Sequence, residues 1–240
     1  MEKVVYLLWP DGRPGDADVL LGALPGRLVE VGARGVQINV ADRGPSPFAV
    51  RSAPLPAAVV SVWLDTATHA FRRGVDEEVG QIAARAAAYL VTESEPLANT
   101  AHPAPLGQRT PGLAQIALLR RPEQLERGAW LRAWQDDHTS VALRTQSTFR
   151  YVQNVVVRPL SPDAPAYDGI VEECFPEEAA SDLHVFFDSA GDEARLAEHM
   201  ATMADSCARF MDVDRVEVFW TSQYVMSDPF ADRRGDPSTR

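Results

Sequence analysis

Two successive β-α-β-β-α-β units, an α+β fold in which two four-stranded antiparallel sheets pack together inside one chain, are what the sequence predicts. Three observations carry this expectation. Apolar periodicity runs through one such order of elements and then restarts. A stretch without periodicity, 98–110, lies between the two runs. Finally, 240 residues with 45% apolar content are enough for two cores.

The first run opens with a β-rich segment, Val4 to Trp9, closed by Pro10 and the turn pair Asp11-Gly12. Asp16 is placed to cap a helix through Val19, Leu20, Leu24, Leu28 and Val31, with Pro25 straining its middle. Gly35 then opens the strand GVQINV, whose Val36, Ile38 and Val40 alternate, and a Pro- and Ser-rich loop leads to the apolar strand AAVVSVWLDT. Asp76, Glu77 and Glu78 supply a negative first turn for a helix carrying Val79, Ile82 and Ala86, and AYLVTE makes the last strand. This order is the split βαβ, or ferredoxin-like, unit.

Residues 98–110, rich in Pro, Thr, Ala and Gly, read as a linker between a unit at 1–97 and a second at 111–227. In the second run LAQIALLRRP is a strand and PEQLERGAWLRAWQDDH a helix with Pro122 at its start. FRYVQNVVVRPL and YDGIVEECF are strands, a helix spans Asp192 to Met211, and RVEVFWTSQYVM closes the sheet. YLLWP recurs loosely as LLRRP, and Arg34-Gly35-Val36-Gln37 as Arg150-Tyr151-Val152-Gln153, which points to duplication. Each sheet leaves one apolar face uncovered by its own helices, and the sister sheet is the natural cover, giving an intrachain α+β barrel, a pseudo-dimer. Pairing with a second chain as a homodimer stays open. The segment 228–240, acidic and Pro-containing, reads as a flexible tail or an arm over a neighbour.

A net charge of -11 and the lack of any basic cluster exclude nucleic acid and anionic membrane as natural partners. The apolar N-terminal run is too short for a membrane span and lacks the features of a signal peptide. With only Cys174 and Cys207, neither a disulfide framework nor a zinc knuckle is indicated, and a cytoplasmic home is expected. His69, His102 and His199 have no second ligand at i+2 or i+4, so no metal is expected. No glycine-rich phosphate loop and no GxSxG occurs, so no cofactor is expected either.

The second unit carries a recognisable pattern: Trp130, Trp134 and His138, then Arg150-Tyr151-Val152-Gln153-Asn154, then Tyr167-Asp168-Gly169-Ile170-Val171-Glu172. Over about 110 residues it resembles the EthD family of the dimeric α+β barrel superfamily, in which a helix with an aromatic residue and a His four positions on precedes a strand of the type RYVQN. The first unit resembles it in element order only. One departure lies inside the match: His138 is followed by Thr139 and Ser140, where family members carry a small residue and Pro. The resemblance implies small apolar, often aromatic or polyketide-like ligands held between sheet and helices. Relatives in the superfamily include isomerases, cyclases, decarboxylases and accessory proteins of ether degradation.

Spacing alone puts Trp130, Trp134 and His138 on one helical face, with the imidazole at the end of an aromatic wall. His suits proton transfer near neutral pH; equally, a His at a helix end caps carbonyls and packs on Trp134. On the next strand Arg150, Val152, Asn154 and Val156 share one face while Tyr151, Gln153 and Val155 share the other. Tyr151 can polarise a carbonyl or phenol oxygen and Asn154 can orient one, so one of the two sees a pocket. Glu172 shares a face with Ile170 and Cys174; it is either a base of raised pKa or the salt-bridge partner of Arg150. Cys174, His184, Trp220 and Tyr224 complete the pocket candidates, with core packing as their alternative role.

Three functions follow. The first is a cofactor-free lyase, isomerase or cyclase acting on a small apolar or aromatic molecule, with His138, Tyr151 and Glu172 as its chemistry and Trp130 and Trp134 as its walls. The second is a non-catalytic ligand-binding or accessory protein. The third is a haem- or oxidation-linked oxidoreductase. One pocket, in the second unit, is expected.

Overall fold

In the computed structural model, which describes residues 1–9, 18–44, 46 and 54–230, eight strands close into one barrel. They are β1 (Glu2–Trp9), β2 (Gly35–Val40), β3 (Ala58–Leu64), β4 (Arg85–Leu97), β5 (Leu113–Leu119), β6 (Arg150–Pro159), β7 (Gly169–Phe175) and β8 (Glu217–Ser227). Their order around the barrel is β1-β3-β2-β8-β5-β7-β6-β4. Each half keeps the antiparallel order of a ferredoxin-like sheet, β4-β1-β3-β2 and β8-β5-β7-β6. The halves join at the edges through β2 with β8 and β4 with β6. Closure removes every free sheet edge among these strands.

The helices lie outside. A π-helical turn, Val19–Ala23, leads into α1 (Leu24–Glu30), and α2 (His69–Gly80) follows. In the second half α3 (Arg127–Leu131) runs through a π-helical stretch, Arg132–His138, into α4 (Thr139–Thr145). Further on are a short turn at Glu177–Ala180, α5 (Leu183–Phe186) and α6 (Glu193–Cys207). Asp192 caps α6 by accepting from Ala194 N and Arg195 N. Both faces of the sheets are therefore buried. Outward-facing Val4, Tyr6, Leu8 and Ile38 pack on Leu24 and Leu28 of α1. Inward-facing Leu7, Tyr89, Ile116, Ile170 and Phe219 fill one end of the barrel.

Several local expectations are corrected. The second helix of the first unit lies at 69–80, not 76–86; the acidic run sits within it, and Ala86 belongs to β4. Pro25 stands, as expected, inside a continuous helical run, 18–30, and the helix widens into the π-helical turn Val19–Ala23 just before it, one of the ways a helix accommodates the missing N–H. Pro122 closes a turn with Leu125 ahead of α3 rather than starting the helix. His138 is not at a helix end, since the helix continues to Thr145. The expected cap at Asp16 and the tail beyond residue 230 lie outside the described residues. The RxVQ repeat falls on equivalent strands, β2 and β6, but on opposite faces: Gln37 points into the barrel at Glu172 while Gln153 points out to Thr139. A phase difference of one residue reverses every side chain of a strand, so these matched letters are not structural equivalents.

Candidate active site

On the outer face of the second sheet, cross-strand neighbours form a row: Gln115 on β5 stands opposite Glu173 on β7, which stands opposite Tyr151 on β6. The helix from α3 to α4 and helix α6 lie over this row without filling the space. The result is a cavity of about 370 Å³ whose walls include Trp134, His138, Tyr151, Glu173, Phe210 and Val218.

The π-helical stretch explains how one helix presents its residues to the cavity. In a regular α-helix, residues four apart rotate by about 40° per step, so Trp130, Trp134 and His138 would drift around the axis. The wider π turn between 132 and 138 keeps that spacing closer to one face. Trp130 and Trp134 pack with ring centroids 4.9 Å apart, and Phe210 stacks on Trp134 and tilts against His138 at 4.7 Å. Gly169 admits the Trp134 ring to the sheet: a Cβ there would lie 2.7 Å from the indole.

His138 is buried, and its Nδ1 is held 2.9 Å from Ser206 Oγ on α6. Burial, with Arg209 adding repulsion, pulls its pKa down to about 4, so the imidazole is neutral at neutral pH. Glu173 is buried with no hydrogen bond to either carboxyl oxygen among the described residues, and burial pushes its pKa up to about 8. Tyr151 accepts a hydrogen bond from Gln153 Nε2 at 3.0 Å, and the same amide lies 2.9 Å from Thr139 Oγ1. Burial and then the neighbouring Glu173 raise the phenol above its usual range. Cys207, also on the wall, is pushed up to about 12 by burial and by Glu173 and is an inert thiol.

Of the residues singled out from the sequence, the structure brings Trp134, His138 and Tyr151 together. Trp130 stands behind them, its indole N–H donating to Phe210 O at 3.0 Å. Glu172, Asn154 and Cys174 point the other way, into the barrel. There Glu172 pairs with Arg150 at 2.8 Å and accepts from Gln37 and Gln223, Asn154 donates to Ile170 O, and Cys174 meets Gln223. His184 is held near the surface by Ser189 and Glu193. Trp220 packs with Phe175 and Phe186 beside the cavity, and Tyr224 bridges to Arg109. The residue that sequence reasoning passed over is Glu173; strand parity with Tyr151 is the signal that marks it. The single expected pocket also gives way, since a second cavity of about 230 Å³ opens at the polar end of the barrel beside Arg150 and Gln223.

His138 would be the lining residue able to hold a haem iron in the 370 Å³ cavity, but the two haem carboxylates would meet no Lys or Arg among the lining residues. The residues present do not fit that group. Among the described residues no group of three or more His, Cys, Asp or Glu is placed to hold a metal ion, and no helix is long and apolar enough to cross a membrane.

The fold and the helix-covered cavity define a tandem α+β barrel of the ferredoxin-like kind. Its second half carries the particular signature: residues 122–214 match the family described as EthD domain. Among solved structures, an anthrone oxidase-like protein matches with a TM-score of 0.59 and 8% identity over 95% of this chain and 94% of that chain. A putative monooxygenase from Lactobacillus acidophilus NCFM matches with a TM-score of 0.49 and 9% identity over 94% and 96%. No curated protein matches the chain by sequence.

Proposed function

We propose that the cavity binds a small apolar or aromatic molecule and shifts a proton on it without a cofactor, as an isomerase, cyclase or lyase would, with His138 as the acid/base group. One observation carries this reading. Trp134 Nε1, Gln115 Nε2, Gln146 Oε1 and Glu173 Oε1 are buried without hydrogen-bond partners among the described residues, and all four residues line the same cavity. Each such atom costs about 1–3 kcal/mol when left unpaired, so four around one cavity make a wall that a ligand completes.

The chemistry these side chains supply is a proton shift next to a carbonyl. Neutral His138, with Nδ1 fixed on Ser206 and Nε2 free of hydrogen bonds among the described residues, takes a proton from carbon. The C–H electron pair becomes the new C=C bond, and the carbonyl pair moves onto oxygen, where the Tyr151 hydroxyl donates to it. In a β,γ-unsaturated ketone the oxygen pair then re-forms C=O, the new C=C pair moves between the α and β carbons, and the former β,γ pair takes the proton back from His138 at the γ carbon, which leaves the conjugated isomer. His138→Ala abolishes turnover of such a substrate, as measured by loss of deuterium exchange at the acidic carbon; unchanged exchange removes His138 from the mechanism.

A second reading, a ligand carrier without turnover, is favoured by the departure after His138. Thr139 lies 2.9 Å from Gln153 Nε2, and Ser140, where the family pattern has Pro, continues the helix and donates from its hydroxyl to Asp137 O. Native mass spectrometry that finds a retained small molecule, released unchanged by denaturation, supports the carrier over the enzyme.

A further inference from the structure

Glu173 is the one carboxyl among the lining residues of the cavity, and the proton shift above does not use it. It stands midway along the outward row, between Gln115 and Tyr151, and neither of its oxygens is hydrogen-bonded among the described residues. The cavity has no Lys or Arg among its lining residues. The titratable groups facing Glu173 are Tyr151 from β6, Cys207 from α6 and His138 from the π-helical stretch. All three are uncharged at neutral pH, and the charge of Arg209 acts on His138.

We infer that the cavity selects an uncharged, oxygen-bearing aromatic ligand, a ketone, quinone or phenol, whose oxygen is held by the protonated Glu173 carboxyl together with the Tyr151 hydroxyl, and that it turns carboxylates away. The inference rests on the reading of this cavity as a ligand site. A carboxyl with no counter-charge and no donors around it keeps its proton, and a protonated carboxyl donates a short hydrogen bond to an oxygen that gathers charge. An anionic ligand would enter a site with no cation to meet it, at a desolvation cost that a neutral ligand avoids. Among the reactions considered, this separates proton shifts and ring closures on neutral carbonyl compounds from loss of carbon dioxide, whose substrate arrives as a carboxylate.

Three naphthalene probes of similar size test it: 2-acetylnaphthalene, 2-naphthoate and unsubstituted naphthalene, titrated by quenching of tryptophan fluorescence and by calorimetry. At a pH of about 6 the ketone binds at least about tenfold more tightly than the carboxylate or the hydrocarbon. As the pH is raised past about 8 the ketone weakens on the wild-type protein, because the carboxyl ionises and stops donating. On Glu173→Gln, whose amide donates at every pH, ketone binding stays flat over the same range. Naphthoate or naphthalene binding as tightly as the ketone overturns the inference and leaves the ligand site standing. A wild-type pH profile that Glu173→Gln reproduces also overturns the inference alone. Failure of all three probes to bind overturns the ligand site and the inference together.

Discussion

Glu172 and Glu173 are neighbours on β7, and they meet opposite fates. Glu172 points into the barrel, where the Arg150 guanidinium and the side-chain amides of Gln37 and Gln223 surround it. Glu173 points outward beneath the helices, where no described residue bonds to it. Both are buried, at 3% and 7% exposure. The barrel interior spends its polar groups on one another and ties the two halves together, since Gln37 comes from β2 of the first half and Glu172 and Arg150 from the second. The outer cavity leaves polar atoms of Gln115, Trp134, Gln146 and Glu173 unpaired among the described residues. Burial alone does not mark a functional residue; burial without a partner does.

The largest effect that can break this contrast comes from the interior pair. Arg150→Met leaves Glu172 buried beside two amides and no cation, and costs about 3–5 kcal/mol of stability. Glu173→Leu, one residue from the pair's other member, removes an unpaired carboxyl and is neutral or stabilising at neutral pH. Urea unfolding midpoints of the two variants compare them directly. Equal losses would mean that Glu173 has a structural partner after all.

The next effect is pH dependence, and the two cavity residues pull in opposite directions. Glu173 titrates at about 8 in the folded chain against 4.5 when unfolded. Between those values the unfolded chain ionises while the folded one does not, so stability falls as pH rises through this window. At about 1.4 kcal/mol per unit the loss amounts to several kcal/mol. His138 titrates at about 4 when folded against 6.5 when unfolded. Below 6.5 the unfolded chain takes up a proton that the folded chain refuses, so stability falls as pH drops toward 4. The slopes oppose each other between 4.5 and 6.5, and Glu173 acts alone from 6.5 to 8. Glu173→Gln therefore flattens the alkaline limb and His138→Gln the acid limb, as read from unfolding free energies stepped across pH.

The same contrast explains what the sequence could and could not disclose. Element order was legible because the strands and the helix from Asp192 onward carry clean periodicity and punctuation. The helix at 69–80 was misplaced because Asp76-Glu77-Glu78 imitates a first turn; its true start follows Thr68, which makes no side-chain cap bond. Trp134 and His138 were legible from their spacing, and Tyr151 from strand parity. Glu173 was not, because β7 is buried along its whole length on both faces. Alternation then assigns Glu172 and Glu173 to different sides without saying which side is the ligand's. The deciding fact is tertiary: the helices carrying Trp134 and His138 cover the face of Tyr151, and Tyr151 stands opposite Glu173.

The smallest predicted effect sharpens the contrast most, because it concerns a bond that holds a side chain for use. Ser206 Oγ is the one hydrogen-bond partner of His138 Nδ1 among the described residues. Ser206→Ala removes it at a stability cost of ~1 kcal/mol, close to that of an ordinary polar deletion. The informative readout is the imidazole itself. The proton shift requires Nδ1–H to donate to Ser206 Oγ, and that one tautomer is seen as two widely separated ring ¹⁵N shifts; in Ser206→Ala the two tautomers exchange and the shifts draw together. Ser206→Thr, which keeps a hydroxyl on the helix, restores the separation. A serine that merely packed would leave those shifts where they were, and His138 would then be oriented by packing such as its tilted contact with Phe210.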